Sequence, residues 1–287
     1  MLAIRGRDHP VFRLCGYAGL AAALGTCAVV LAARGLPAWG TAVLGVTGVA
    51  TFLALAMAVK MVTGRESLTY YHHEIAILGA CGLALTLAGL PVRAGLDAAC
   101  LALGAFLACG RIGCLAVGCC RGRPARWGVR YGPTHAKAGF PAELVGVRLA
   151  PVQGIEALAA AAITAGGLAS VAAGARPGVA LVLYVAGYGL ARFVLEEIRG
   201  DTGRRWLAGF SEAQWTSLVL TTLAVVGAPA HTVLPTAAAA TIGLAMVALS
   251  VRRRLPVARH APGREPVPRS SLAGVAVQVR PRRGQAG

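Results

Sequence analysis

At least six apolar runs of 17 or more residues follow one another along this 287-residue chain. A run of that length crosses a hydrocarbon core about 30 Å thick. Inside lipid every backbone N–H and C=O must find its partner within the protein, which leaves helices or a closed barrel, and runs this long are helices. The expected fold is therefore all-α: a polytopic transmembrane helical bundle with seven or eight spans. Six of them are expected at residues 11–33, 37–62, 74–90, 95–118, 151–173 and 177–198. The apolar stretch 212–251 is too long for one span, and Pro229 and Pro235 interrupt it. It divides into a seventh span, to residue 228, and an eighth over 232–250. Residues 1–251 form the membrane domain. Residues 252–287 hold nine Arg and few large apolar groups, which cannot bury a core, so they read as a basic disordered tail.

Composition supports this division. Charged residues make up 14% of the chain, against about 25% in soluble proteins. The net charge of +17 sits in loops and tails between the spans, which points to anionic lipid headgroups and away from nucleic acid. Arg5, Arg7 and Arg13 stand around the start of the first apolar run, as in a signal peptide. The run is longer than the 7–15 residues of a signal core, so a retained span is expected. Most of the eight cysteines lie inside apolar runs, where Cys acts as a small hydrophobe, and no disulfide framework is read from them. The Ala- and Gly-rich spans, with Ala160, Ala161, Ala162, Gly166 and Gly167, suit close helix packing in lipid.

The informative residues are the charges inside the spans. Each costs at least about 2.5–3.5 kcal/mol to insert, so it is expected to face a partner or a wet cavity. Arg111 lies near the end of the fourth span and Arg192 inside the sixth. Tyr188, Arg192, Glu196 and Arg199 recur at helical spacing and share one face if the helix continues that far. The plainer reading is an interfacial cluster with an i, i+4 pair. Two guanidinium forks from different helices suit a phosphate, and a phospholipid headgroup is the phosphate at hand. Arg121, Arg123, Arg126 and Arg130 add to that electropositive region, or simply form a solvated basic loop. Tyr70, Tyr71, His72, His73 and Glu74 open the third span. They offer a general base with an orienting carboxylate, or interfacial His and Tyr at headgroup level. Cys114, Cys119 and Cys120 are either reactive thiols beside an arginine or small packing residues, and C-x4-C-C is not a standard zinc spacing. No metal or cofactor is expected.

Between residues 68 and 220 these features resemble the phosphatidylglycerol–prolipoprotein diacylglyceryl transferases, in that family's order. Gly110-Arg111-Ile112-Gly113 matches the start of its glycine-arginine signature. Pro151-Val152-Gln153-Gly154-Ile155-Glu156 looks like its His-Pro-x-Gln-Leu-Tyr-Glu segment. Tyr188, Gly189, Arg192, Glu196 and Arg199 resemble its sixth-span motif, and Gln214-Trp215-x-Ser217 its Gly-Gln-Trp-x-Ser run. The resemblance implies transfer of a diacylglyceryl group from phosphatidylglycerol to the cysteine thiol of a lipoprotein precursor peptide, at the bacterial plasma (inner) membrane, with glycerol phosphate leaving. It implies His72, Arg111, Arg192 and Glu196 as catalytic residues. It implies Tyr71, Gly110, Gly113, Gln153, Tyr188 and Arg199 as substrate-binding ones. Arg111 and Arg192 would hold the phosphate, with Tyr188 and Glu196 orienting Arg192.

The chain departs from the pattern at definite places. Cys114 stands where the family signature has Asn, Cys119 where it has Glu, and Ala150 where it has His. The chain contains no Asn at all. These changes keep a second reading open, a phospholipid-binding relative that has lost or altered the chemistry. A transporter would show inverted repeats or matched broken helices, and neither is visible. The resemblance places the motifs at the outer membrane face. The positive-inside rule points the other way, because outside the spans the non-motif side holds only Arg34, Arg93 and Arg176.

Overall fold

The computed structural model describes residues 2–4, 7–9, 11–64, 70–201, 205–228, 237, 240–246 and 248. The expected tail lies outside the described residues, and so does most of the expected eighth span. Strands β1 (Leu2–Ile4) and β2 (Arg7–His9) pair antiparallel ahead of helix α1 (Val11–Ala33). Then follow α2 (Trp39–Thr63), α3 (Tyr70–Leu87) and α4 (Val92–Val117). A folded loop carries β3 (Pro124–Arg130), α5 (Pro133–Lys137) and β4 (Arg148–Leu149). The chain continues through α6 (Val152–Ala172), α7 (Val179–Leu195), the ribbon β5 (Trp206–Leu207) and β6 (Phe210–Ser211), and α8 (Glu212–Val226). Residues 240–246 are helical again, and Ile242 and Met246 pack against Phe193 of α7 and Phe210.

Among the described residues four helices, α1, α2, α4 and α6, are long and apolar enough to cross a membrane. α3, α7 and α8 are shorter, at 18, 17 and 15 residues. α4 is the hub, packed against α1, α3, α6 and α7. Small residues make this possible. A Cβ on Gly104 would meet Thr164 Oγ1 at 2.2 Å, and one on Gly167 would meet the Leu101 side chain at 2.3 Å, so side chains of each helix seat directly on glycines of the other. α2 sits at the edge and buries only Gly40 and Leu44. Its exposed Val46, Leu53, Met57 and Met61 form an apolar exterior that would face water in a soluble protein and faces hydrocarbon in a bilayer.

Three short strand pairs depart from the all-α expectation, and one helix ends early. The basic loop is folded, with β3 and β4 pairing antiparallel over a small core of Tyr131, Phe140 and Leu149. α7 also ends at Leu195, short of the expected residue 198. Beyond it the backbone turns to pair with the basic loop: Arg123 N–H donates to Ile198 O (2.9 Å) and Gly200 N–H to Arg121 O (2.9 Å). Gly200 is needed for this close approach, since a Cβ there would lie 2.6 Å from Gly122 O, and Gly122 for the contact on its other side, where a Cβ would lie 2.3 Å from Ala150 O. Arg199 therefore belongs to the turn and not to the helix face.

Candidate functional site

The C-terminal ends of α4 and α7 and the N-terminal ends of α3, α6 and α8 meet at one end of the bundle, where buried polar side chains gather around Tyr188. Its hydroxyl donates to Glu156 Oε1 (2.8 Å). The other oxygen of that carboxylate, Oε2, lies 3.0 Å from Arg111 Nε. One turn after Tyr188, Arg192 Nη1 lies 2.9 Å from Glu196 Oε2. Arg199 approaches the same oxygen from the turn, at 3.8 Å. Glu156 and Glu196 are each 1% exposed, whereas the Arg111 and Arg192 side chains keep 9%. Each of these two guanidiniums thus rests one nitrogen against a carboxylate. Its other nitrogens have no partner among the described residues. Burial of such pairs is costly, and loss of one member typically costs about 3–5 kcal/mol.

The Tyr71 hydroxyl meets Ser217 Oγ at 2.7 Å, and its ring packs edge-on against Tyr188 at 5.9 Å. Tyr70 OH meets Tyr184 OH at 2.8 Å, and the Tyr184 ring stacks on Tyr188. Gln153 donates through Nε2 to Cys119 O (2.7 Å), while its buried Oε1 has no hydrogen-bond partner. Gln214 closes a capping box with Ser211 at the start of α8 and donates to Glu197 Oε1 (2.7 Å), so the first turn of α8 is locked onto the end of α7. Arg199 makes a two-pronged contact with Asp201, at 2.9 and 2.7 Å. Burial raises the Asp201 carboxyl, but the hydrogen bonds and charge of Arg199 outweigh it and hold it below the ordinary range.

Of the residues singled out in the sequence, Tyr71, Arg111, Gln153, Tyr188, Arg192, Glu196 and Arg199 stand at this end, tied to one another or to neighbours just named. The Tyr188 hydroxyl is held by Glu156, and among the described residues Glu196 is the carboxylate that orients Arg192. Gly110 has open space where a side chain would be, whereas Gly113 packs against Phe12 and Cys15 of α1. His72 lies at the rim. Its imidazole is 53% exposed, and Nε2 meets Glu212 Oε1 at 2.7 Å. Its carboxylate partner comes from α8, because Glu74 points into the bundle, 2% exposed. His73 is buried beside Phe52.

Glu156 is the residue that sequence reasoning passed over. It joins Arg111 to Tyr188 across three helices, yet it stands in the sequence as part of a motif with no charge visibly opposite it. The available signal was its spacing, one helical turn after Gln153 in an otherwise Ala-rich span.

The sequence model of the prolipoprotein diacylglyceryl transferases matches residues 71–228, more than half of the chain. The chain belongs to the prolipoprotein diacylglyceryl transferase family. The matched stretch takes in every element that builds the polar end of the bundle, from Tyr71 through α8. The family is one of transferases acting in lipoprotein lipidation. No curated protein matches the chain.

Proposed function

We propose that this member of the prolipoprotein diacylglyceryl transferase family moves a diacylglyceryl group from phosphatidylglycerol to the cysteine thiol of a lipoprotein precursor, as a protein of seven or eight spans in the bacterial plasma membrane. One observation carries this reading. Guanidiniums from α4 and α7 flank the same buried tyrosine, each backed by its own carboxylate and each with donors to spare. An arginine fork stays charged in a low dielectric and matches two phosphate oxygens at once.

In the reaction the thiolate attacks the glyceryl carbon that carries the phosphate ester. A C–S bond forms, the C–O bond breaks, and the electron pair leaves on glycerol phosphate. Arg111 and Arg192 stabilise the charge that grows on that leaving group, which is worth most where water is excluded. The thiol must first lose its proton. His72 suits the role of base, since Glu212 holds Nε2 and Nδ1 has no partner among the described residues.

The second reading, a phospholipid-binding relative without the standard chemistry, is favoured by Cys114 and Cys119, which stand where the family signature has Asn and Glu. Cells depleted of their own diacylglyceryl transferase separate the two. Expression of this chain is expected to restore lipid-modified precursor. A well-expressed, membrane-inserted protein that restores none would leave only the binding reading. A Cys114→Ser, Cys119→Ser double variant that still transfers would remove any nucleophilic role for those thiols.

A further inference from the structure

The end of α4 brings the three thiols of the C-x4-C-C run together in space. The helix stops at Val117, and Gly118 takes the left-handed conformation (φ 82) with its N–H on Cys114 O at 2.9 Å. The chain then folds back over its own helix end, so that Cys119 Sγ approaches Cys114 O at 3.9 Å. Cys120 also has a positive φ, 51. The result is a cluster in which the sulfurs of Cys114, Cys119 and Cys120 all lie within 4.8 Å of one another. Two of these cysteines occupy the positions where the chain departs from its family's pattern.

We propose that Cys114, Cys119 and Cys120 form a three-sulfur site for a soft d10 cation, copper(I). Metal–sulfur bonds of about 2.3 Å in a trigonal arrangement put the sulfurs about 4 Å apart. The observed spacing closes to that by side-chain rotation. Thiolates select copper(I) or zinc over harder ions. Structural zinc is almost always four-coordinate, and no His, Asp, Glu or further Cys joins the cluster among the described residues. Three sulfurs alone suit copper(I).

The surrounding charge suits a thiolate site. Three thiolates around a monovalent cation carry two net negative charges, and the Arg111 and Arg199 guanidiniums both act on Cys120. Binding releases the thiol protons to solvent. The exposed thiol of Cys119 gives the ion its way in. An occupied site would tie the end of α4 to α6, because Cys119 O already accepts from Gln153. It would thereby steady Arg111, three residues before Cys114. This inference does not rest on the transfer reaction.

The test uses the full chain in detergent micelles, kept reduced under nitrogen and titrated with copper(I) against the chromophoric chelator bicinchoninate. The protein is expected to withdraw one equivalent from the chelator and to show three sulfur ligands by X-ray absorption. Cys114→Ser and Cys119→Ser are each expected to lose that endpoint, while Cys109→Ser keeps it. No copper withdrawn by protein with its full helical circular dichroism would overturn the proposal. So would equal uptake by Cys119→Ser, or a cluster that takes zinc(II) and refuses copper(I). A disulfide within the cluster that persists under reductant would do the same.

Discussion

Asp97 and Arg111 stand on the same helix, 14 residues apart and thus about 21 Å along its axis, and each anchors a cluster of buried charge. The clusters are built differently. Asp97 is fully buried and saturated: Oδ1 accepts from Leu181 N–H (2.9 Å), and Oδ2 accepts from Gly178 N–H (2.9 Å) and from Arg34 Nη2 (3.0 Å). Arg34 also donates to Ala175 O. Two inter-helix connections, α1–α2 and α6–α7, are thereby pinned to one carboxylate whose two oxygens are both engaged, and Arg34 Nε alone of this cluster is buried without a hydrogen bond among the described residues. At the other end Arg111 and Arg192 keep nitrogens without partners among the described residues, and Gln153 Oε1 is buried without a hydrogen bond. A buried charge is expensive in both places. Where the carboxylate takes donors on both oxygens and most donors are used inside the protein, the cluster acts as a strut. Where some are held in reserve it is ready to receive an anion.

This contrast can be broken by substitution. The largest effect is expected at the strut. Asp97→Ala leaves Arg34 buried without its counter-charge, so stability is expected to fall by about 3–5 kcal/mol, read as the unfolding midpoint in mixed micelles. Phospholipid binding per folded molecule is expected to stay unchanged, and a loss of binding with full stability would reverse the assignment of the two ends. Next comes Arg192→Lys, which substitutes a point charge for a fork. Transfer is expected to fall about 10²–10³-fold, as when a preorganised donor to a transition-state charge is removed, with little change in the unfolding midpoint. An equally active variant would place Arg192 outside the site.

A sharper comparison removes both partners at once. Arg34→Met with Asp97→Leu is expected to cost far less stability than Asp97→Ala, because a buried ion pair replaced by apolar groups of similar volume is often neutral. Arg111→Met with Glu156→Leu is expected to spare stability in the same way while abolishing transfer. A smaller effect is expected at Asp201. Its carboxyl is depressed in the folded protein, so its pairing with Arg199 contributes fully above about pH 4, the ordinary carboxyl value, and is lost as pH falls through the lower folded value. Asp201→Asn should flatten that acid limb of the stability curve, and an unchanged limb would show that the pair carries none of it. The smallest effect is expected from Lys137→Ala in the folded loop, which should alter neither activity nor stability.

The amino-acid sequence by itself determined that the chain is helical and apolar enough for a membrane, and it located α1 to the residue and most other helices to within a few. Long apolar runs are a one-dimensional signal and survive without tertiary context. The motif residues at the ends of those runs were legible for the same reason, since a charge in an apolar run stands out. Which of them act together was decided only by the tertiary structure. Asp97 and Glu156 owe their roles to partners far along the chain, Arg34 in the turn after α1 and Arg111 on α4. Arg199 leaves the helix because the backbone beyond Leu195 finds its hydrogen bonds on residues 121–123. His72 takes its carboxylate from Glu212, 140 residues away, and not from Glu74 nearby. Ion pairs and hydrogen bonds are short-ranged in space and indifferent to distance along the chain, so their pairings exist only once the helices have packed.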